Sequence, residues 1–294
     1  MNRFFASLIT TAVLAGALLF TPTLPAENTE AESAAKFVEL EAQTKSRIGV
    51  VAVDLSTKRR VEHRANERFL MCSTFKVLAV AAILKRVDEK KEKLDRFVRY
   101  GEAQLLEYAP VTRAHVNEGG MTLEALCAAA ISQSDNTAAN LLLEAIGGPK
   151  GLTDFARALG DAFTRLDRME PELNMAAPGD ERDTTTPAAM ASDLQRLLTS
   201  DALSAESRTR LEAWMMANET GAKMIRASVP PDWKVGDKTG RNGKGAVNDI
   251  AFVRPPNGGP FFLAIYVDAP NESPDGRDAL VAEVAKIAID LLTK

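Results

Sequence analysis

Strand-like sequence lies near the two ends of this 294-residue chain, and helical sequence lies between them. Residues 48–54 and 60–64 read as a strand pair around the polar turn Ser56-Thr57-Lys58. Residues 246–254 and 261–268 read as a second pair around the Pro- and Gly-rich turn 255–260. Helical spacing of apolar residues marks 30–47, 74–88, 123–131, 137–146, 154–159, 186–198 and 277–292. Strands at both ends with helices between imply that the termini build one sheet together. The central segment then forms a separate helical lobe, with a cleft between the lobes as the natural ligand site.

Composition narrows the function. With 46% apolar residues, 26% charged residues and a formal net charge of −4, the chain is that of a soluble globular protein, one large domain or two intimate ones. Mild acidity gives no reason to expect a nucleic acid or an anionic membrane as partner. Arg3, an apolar run from 4 to 20, then Pro22, Pro25 and Ala26 read as a signal peptide over 1–26. The run is short for a membrane span and carries Ser7, Thr10, Thr11 and Gly16. The mature protein is therefore expected to be exported, periplasmic or secreted, and not membrane-bound. His63 and His115 lie far apart with no ligand partner at metal-binding spacing, whereas a catalytic zinc needs three protein ligands. Neither a metal nor another cofactor is expected.

Four short motifs carry the chemistry: Ser73-Thr74-Phe75-Lys76, Ser134-Asp135-Asn136, Glu170-Pro171-Glu172-Leu173-Asn174 and Lys238-Thr239-Gly240. One two-position match means little, since each is expected roughly once by chance in such a chain. Ser33-Ala34-Ala35-Lys36 is a second S-x-x-K here. Four in order are a different matter. Ser73 and Lys76, three apart at a helix start, project on one face. A serine hydroxyl needs a base to take its proton. Lysine can be that base only when burial or a nearby cation such as Lys238 depresses its pKa. Glu170 and Asn174, four apart, could hold one water between carboxylate and amide. Lys238-Thr239-Gly240 is expected to begin a strand facing the cleft, with Gly240 permitting close approach of a ligand to the backbone.

The order and spacing resemble the class A serine β-lactamases, over essentially the whole mature chain. The resemblance implies an α+β fold, a five-stranded antiparallel sheet with flanking helices packed on an all-α domain. Its α/β domain would span 27–65 and 217–294, and its all-α domain 66–216, with an Ω-loop at about 165–183 closed by an Arg168–Asp183 ion pair. It implies a monomer acting on small-molecule β-lactams. Ser73 would be the nucleophile and Lys76 or Glu170 the first base; Ser134 would relay a proton to the leaving nitrogen, and Glu170 would activate the deacylating water. Asn136 would bind the substrate amide and orient Lys76. Lys238 and Thr239 would bind the substrate carboxylate, and the N–H groups of Ser73 and Arg241 would form the oxyanion hole. Asp135 would brace its loop, and Glu172 would face outward.

Several positions depart from the family pattern. Arg241 is bulky and cationic where a small or hydroxyl residue is expected, and could attract carboxylate or narrow the cleft. Val247 replaces an arginine that many relatives carry, and Arg277 is either its substitute or an exposed helix-start arginine. Tyr108 would wall the cleft mouth. The residues that some relatives bridge to Cys72 and Cys127 are Asn242 and Val80 here, so both thiols are expected to be free. Two rival readings share part of the motif set. A penicillin-binding transpeptidase would ordinarily lack the Glu170–Asn174 loop, and a β-lactam sensor would stay acylated.

Overall fold

The computed structural model describes Met1, residues 27–175, 177 and 179–294. Apart from Met1, the expected signal peptide over 1–26 lies outside the described residues. In chain order the strands are β1 (Arg47–Asp54), β2 (Arg60–His63), β3 (Phe69–Leu70), β4 (Phe97–Arg99), β5 (Gly120–Thr122), β6 (Thr184–Thr185), β7 (Lys234–Arg241), β8 (Ala246–Arg254) and β9 (Phe261–Asp268). The helices are α1 (Glu27–Thr44), α2 (Phe75–Asp88), α3 (Pro110–Ala114), α4 (Leu123–Ser132), α5 (Asn136–Ile146), α6 (Gly148–Ala158), α7 (Pro187–Thr199), α8 (Ala205–Met216) and α9 (Pro274–Thr293). Among the described residues no helix is long and apolar enough to cross a membrane.

Both ends do build one sheet. Its order is β2-β1-β9-β8-β7, antiparallel throughout, with Val50 opposite Ile265 and Ile250 opposite Ala264. β8 and β9 are buried along nearly their whole length because both sheet faces are covered. Period-two alternation sorts their side chains between two cores. Val50, Ala52, Leu263 and Ile265 pack against Phe37 and Leu40 of α1 and Val281, Val284 and Ala288 of α9. Val51, Ile250, Phe252, Phe262 and Ala264 face the other way, into a core that continues through Phe75 and Leu78 of α2 to Met190 and Leu194 of α7. The helical region and the inner sheet face thus share one continuous core. α2, buried from Phe75 to Leu84, is its central rod, apolar over that stretch except at Lys76.

The strand carrying Lys238-Thr239-Gly240 starts earlier than the sequence implies. Lys234 already pairs with Arg254, and the triad sits near the strand's end. Residues 234–238 are already ladder: five residues of pairing precede Thr239. α8 has no counterpart in the sequence reading. Its apolar residues Leu211 and Met215 are buried, but the charged residues Glu206, Arg208 and Arg210 before them blur the pattern.

Leu166 and Leu173 anchor the segment from 161 to 183 in the core, and polar contacts tie down its ends. Asp183, fully buried with φ +59°, accepts hydrogen bonds from the backbone N–H groups of Asp167 (2.7 Å) and Arg168 (2.9 Å) and from Arg168 Nε (2.5 Å). Its carbonyl accepts from the Met71 N–H at 2.9 Å. The expected ion pair therefore closes the loop and also joins it to the turn before α2. At the loop's entry, Asp161 accepts from the N–H groups of Phe163 (2.6 Å) and Thr164 (3.0 Å). Asp193 of α7 lies within hydrogen-bonding reach of Asp161 and is buried. Burial, then the Asp161 charge, pushes the Asp193 carboxyl up to about 9, so it stays protonated in the fold at neutral pH. The sign of the linkage follows. Above the ordinary carboxyl value the unfolded chain has released this proton and the native one retains it, so stability declines from about pH 4 to pH 9. Asp193→Asn mimics the neutral acid without titrating. Its unfolding free energy relative to wild type, read from urea melts, should rise steadily across that window; a pH-independent difference would show that Asp193 is ionised in the fold.

Candidate functional site

The motifs converge on one cleft of about 430 Å³ between the sheet's β7 edge and the helical region. Ser73, Tyr108, Ser134, Asn136, Asn174, Thr239, Gly240 and Arg241 line it, together with Thr220. Lys76, Glu170 and Lys238 stand buried behind that lining. Arg277 does not line it. Its Nε donates to the Ala269 carbonyl at 2.9 Å and its Nη2 to the Pro270 carbonyl at 3.3 Å, which leaves the helix-start reading. Tyr108, half exposed, stands at the mouth, and its carbonyl accepts from the Asn136 N–H at 3.0 Å.

Ser73 sits in a 3₁₀ turn, Cys72–Thr74, directly before α2. Cys72 holds a left-handed backbone, φ +47°, a costly conformation for a residue with a Cβ. Gly240 explains why the turn and β7 can touch. A Cβ at Gly240 would lie 2.8 Å from the Met71 carbonyl oxygen and 3.0 Å from the Ser73 nitrogen. The glycine is thus required by chain packing against the serine turn as well as by access for a ligand.

Ser134 occupies the loop between α4 and α5, also left-handed at φ +57°. The next residue holds it there. Asp135 caps α5 by accepting from the Ala138 N–H (2.8 Å) and also accepts from the Val111 N–H (3.0 Å) and the Thr112 N–H (2.9 Å). This is the bracing role expected of it. Ser134 Oγ then lies 2.9 Å from Lys238 Nζ and 3.4 Å from Lys76 Nζ.

Lys76 Nζ donates to the Ser134 carbonyl (2.7 Å) and Asn136 Oδ1 (2.6 Å) and lies 3.3 Å from Glu170 Oε1. Three acceptors match the three N–H bonds of an ammonium. Burial nevertheless lowers the Lys76 pKa, and the Glu170 carboxylate opposes that shift. Lys238 is lowered further, by burial and then by the charge of Lys76, against Asp237 and Asp249. The two thiols are free and buried; burial raises both, which makes them inert.

Glu170 Oε1 is 3.4 Å from Ser73 Oγ, and Oε2 accepts from Asn174 Nδ2 at 2.6 Å. Asn174 Oδ1 is buried and accepts no hydrogen bond among the described residues, so it points an unused acceptor beside the carboxylate. Glu172 faces solvent. Asn140 was not anticipated. Its Nδ2 donates to the Glu170 carbonyl and its Oδ1 accepts from the Glu170 N–H, both at 2.9 Å. Asn136 and Asn140 are four apart on α5, so one helix face orients Lys76 and clamps Glu170. Thr220 was also missed; its Oγ1 lies 2.5 Å from Thr239 Oγ1. Among the described residues, no cluster of three or more His, Cys, Asp or Glu side chains is placed to hold a metal.

Comparison with known proteins agrees with this geometry. Residues 32–292 match the model of the Beta-lactamase enzyme family. The chain is 46% identical over 286 residues to β-lactamase AST-1 of Nocardia asteroides, covering 97% of this chain and 92% of that protein. It is 45% identical over 255 residues to the carbapenem-hydrolyzing β-lactamase KPC of Klebsiella oxytoca, covering 86% and 87%. The solved structure of a reconstructed class A β-lactamase, the last common ancestor of Gram-negative bacteria, superposes with a TM-score of 0.86 at 54% identity, covering 88% of this chain and 99% of that one.

Asn140→Leu keeps the side chain's size and removes both hydrogen bonds to Glu170. It should cost about 2 kcal/mol of stability and speed hydrogen exchange at the Glu170 amide. An amide as protected as in wild type would mean that the clamp does not hold the loop.

Proposed function

The chain belongs to the class A serine β-lactamases, hydrolases that open the β-lactam amide bond of antibiotics and so confer resistance, and we propose that it acts through an acyl-enzyme on Ser73. The observation that carries the reading is the position of Glu170. One carboxylate oxygen faces Ser73 Oγ at 3.4 Å and Lys76 Nζ at 3.3 Å, and the other is held by Asn174 at 2.6 Å.

In acylation, Ser73 Oγ attacks the lactam carbonyl and its proton passes to Glu170 Oε1. Lys76, with its three N–H groups already committed, stabilises that carboxylate and keeps the serine loop in place. The carbonyl oxygen becomes an oxyanion between the N–H groups of Ser73 and Arg241, a reading that the close packing of Gly240 on the serine turn supports. Losing one such donor costs about a hundred- to a thousandfold in rate. The C–N bond breaks as Ser134 Oγ protonates the departing nitrogen; Lys76 passes a proton to Ser134 and takes up the one held by Glu170, which restores the carboxylate, while Lys238 holds the Ser134 hydroxyl. Lys238, Thr239 and Thr220 receive the substrate carboxylate, and Asn136 its side-chain amide. In deacylation, Glu170 takes a proton from a water oriented by Asn174 Oδ1 and the resulting hydroxide attacks the ester carbonyl; the C–O bond to Ser73 then breaks and Ser73 Oγ recovers the proton from Glu170, 3.4 Å away.

The Glu170–Asn174 pair also separates this reading from a transpeptidase or a sensor, whose acyl-enzymes persist for want of that base. Tyr108 walls the mouth. We further propose that residues 27–65 with 217–294 form one wall of the cleft and 66–216 the other, that the protein is a monomer, and that it is exported to the periplasm or secreted after loss of residues 1–26.

Glu170→Gln tests the assignment. Without the carboxylate, Lys76 loses the charge that opposes its burial, so it becomes neutral more readily and can serve acylation as base. Deacylation has no substitute. Turnover of benzylpenicillin should fall by about a hundred- to ten-thousandfold, with a persistent penicilloyl adduct in the intact-protein mass spectrum. Wild-type turnover in this variant would remove Glu170 from the mechanism.

A further inference from the structure

Arg241 is the only cationic side chain among the described residues that line the cleft. It follows Thr239 by two positions on β7, so the two side chains leave the same face of the strand. Its charge is not free. Arg241 Nη1 lies 3.2 Å from Asp278 Oδ1, on the first turns of α9. Asp278 is nearly buried, and its Oδ1 accepts no aligned hydrogen bond among the described residues. The contact is charge attraction without directional bonding. No other cation pairs directly with it among the described residues: Arg277 is bound to backbone carbonyls, and Lys223 pairs with Asp275 at 2.9 Å and reaches Asp278 only as a more distant charge. Arg241 is thus the direct ion-pair partner of Asp278, and the arginine keeps 44% of its side chain in solvent at the cleft rim.

We propose that Asp278 is a positioning residue that sets substrate affinity, by competing with the substrate carboxylate for Arg241. In the free enzyme the aspartate holds the guanidinium. When a β-lactam bearing a free ring carboxylate enters beside Thr239, the guanidinium exchanges partners and the arginine joins Lys238 and Thr239 on that carboxylate. No bond is made or broken in the exchange. A half-exposed ion pair is weak enough to be traded in this way. Differential contact with the two states is what such a shift requires, and the two anions supply it. The favoured class is β-lactams with an ionised carboxylate; their esters gain nothing from Arg241. The proposal rests on the reading of this cleft as the β-lactam site.

Steady-state kinetics with benzylpenicillin and with its methyl ester test it on the full mature chain, in four proteins: wild type, Arg241→Ala, Asp278→Asn and the double variant. Asp278→Asn should lower KM for the acid about three- to fivefold with kcat essentially unchanged. Arg241→Ala should raise KM, and adding Asp278→Asn to it should change nothing, because Asp278 acts only through the arginine. Ester kinetics should be the same in wild type and Asp278→Asn. Asp278→Ser, which removes the charge with a smaller side chain, should repeat the Asp278→Asn shift. A KM that rises or stays fixed in Asp278→Asn, a shift that survives in the Arg241→Ala background, or an equal shift for the ester overturns the proposal. A wild type that leaves benzylpenicillin intact would overturn the reading of the site itself, a distinct result from hydrolysis with an unmoved KM.

Discussion

Two lysines with no exposed surface, Lys76 on α2 and Lys238 on β7, meet at the single hydroxyl of Ser134, and the surrounding structure is arranged around the cost of that burial. Removing an ammonium from water costs several kcal/mol even after relaxation, unless acceptors surround it. Lys76 finds the Ser134 carbonyl, Asn136 and Glu170; Lys238 finds Ser134 Oγ and the Thr239 carbonyl. These acceptors come from α5, from the 161–183 segment and from the sheet, which is why every part of the fold must be in place before either charge is tolerable. Behind Lys238, Asp237 and Asp249 supply negative potential, but burial raises both carboxyls, and Arg226 and Asn218 already engage Asp237. Lys238 is consequently less fully compensated than Lys76, in keeping with its larger downward shift.

The two walls of the cleft are held by different forces. Apolar packing runs without a break from α2 through α7 to the inner face of the sheet, so Ser73, Ser134 and Lys238 sit on elements that cannot move independently. The Glu170 segment reaches the same core only through Leu166, Met169 and Leu173, and polar contacts complete its placement: Asn140 on the Glu170 backbone, Asp183 with Arg168, and the Asp161–Asp193 contact. The deacylating half of the site thus leans on polar clasps that the acylating half does not need, so damage to the clasp reaches hydrolysis of the acyl-enzyme before it reaches its formation.

The sheet was legible because its strands are long apolar runs bounded by Pro, Gly and polar turns, and β8 and β9 lie where those turns put them. The motif residues were legible as a set, since the order of four motifs carries what no single one does. What escaped the sequence had weak local signals. β7 was read as starting at Lys238 because Lys234, Gly236 and Asp237 look like a loop, yet ladder pairing and burial from the facing strand override that composition. Thr220 and Asn140 carry no motif, and their importance exists only once Thr239 and Glu170 are brought beside them. Arg277 carried two open readings; in the fold it donates to two backbone carbonyls that spacing along the chain could not have identified.

The departure that bears on charge, Arg241, falls at the rim, and its exposure explains why it is tolerated there. A change at Lys76, Glu170 or Lys238 leaves a buried partner unpaired, and the cost of an orphaned charge exceeds that of a lost contact. Arg241 and Asp278 form a pair open to solvent on one side, where water can replace either partner and the whole interaction is worth about 1 kcal/mol or less. Such a pair can change without threatening the fold and still shift binding severalfold. Reaction class is therefore fixed in the interior, where alternatives are expensive, and preference among substrates is adjustable at the β7–α9 edge, where they are not.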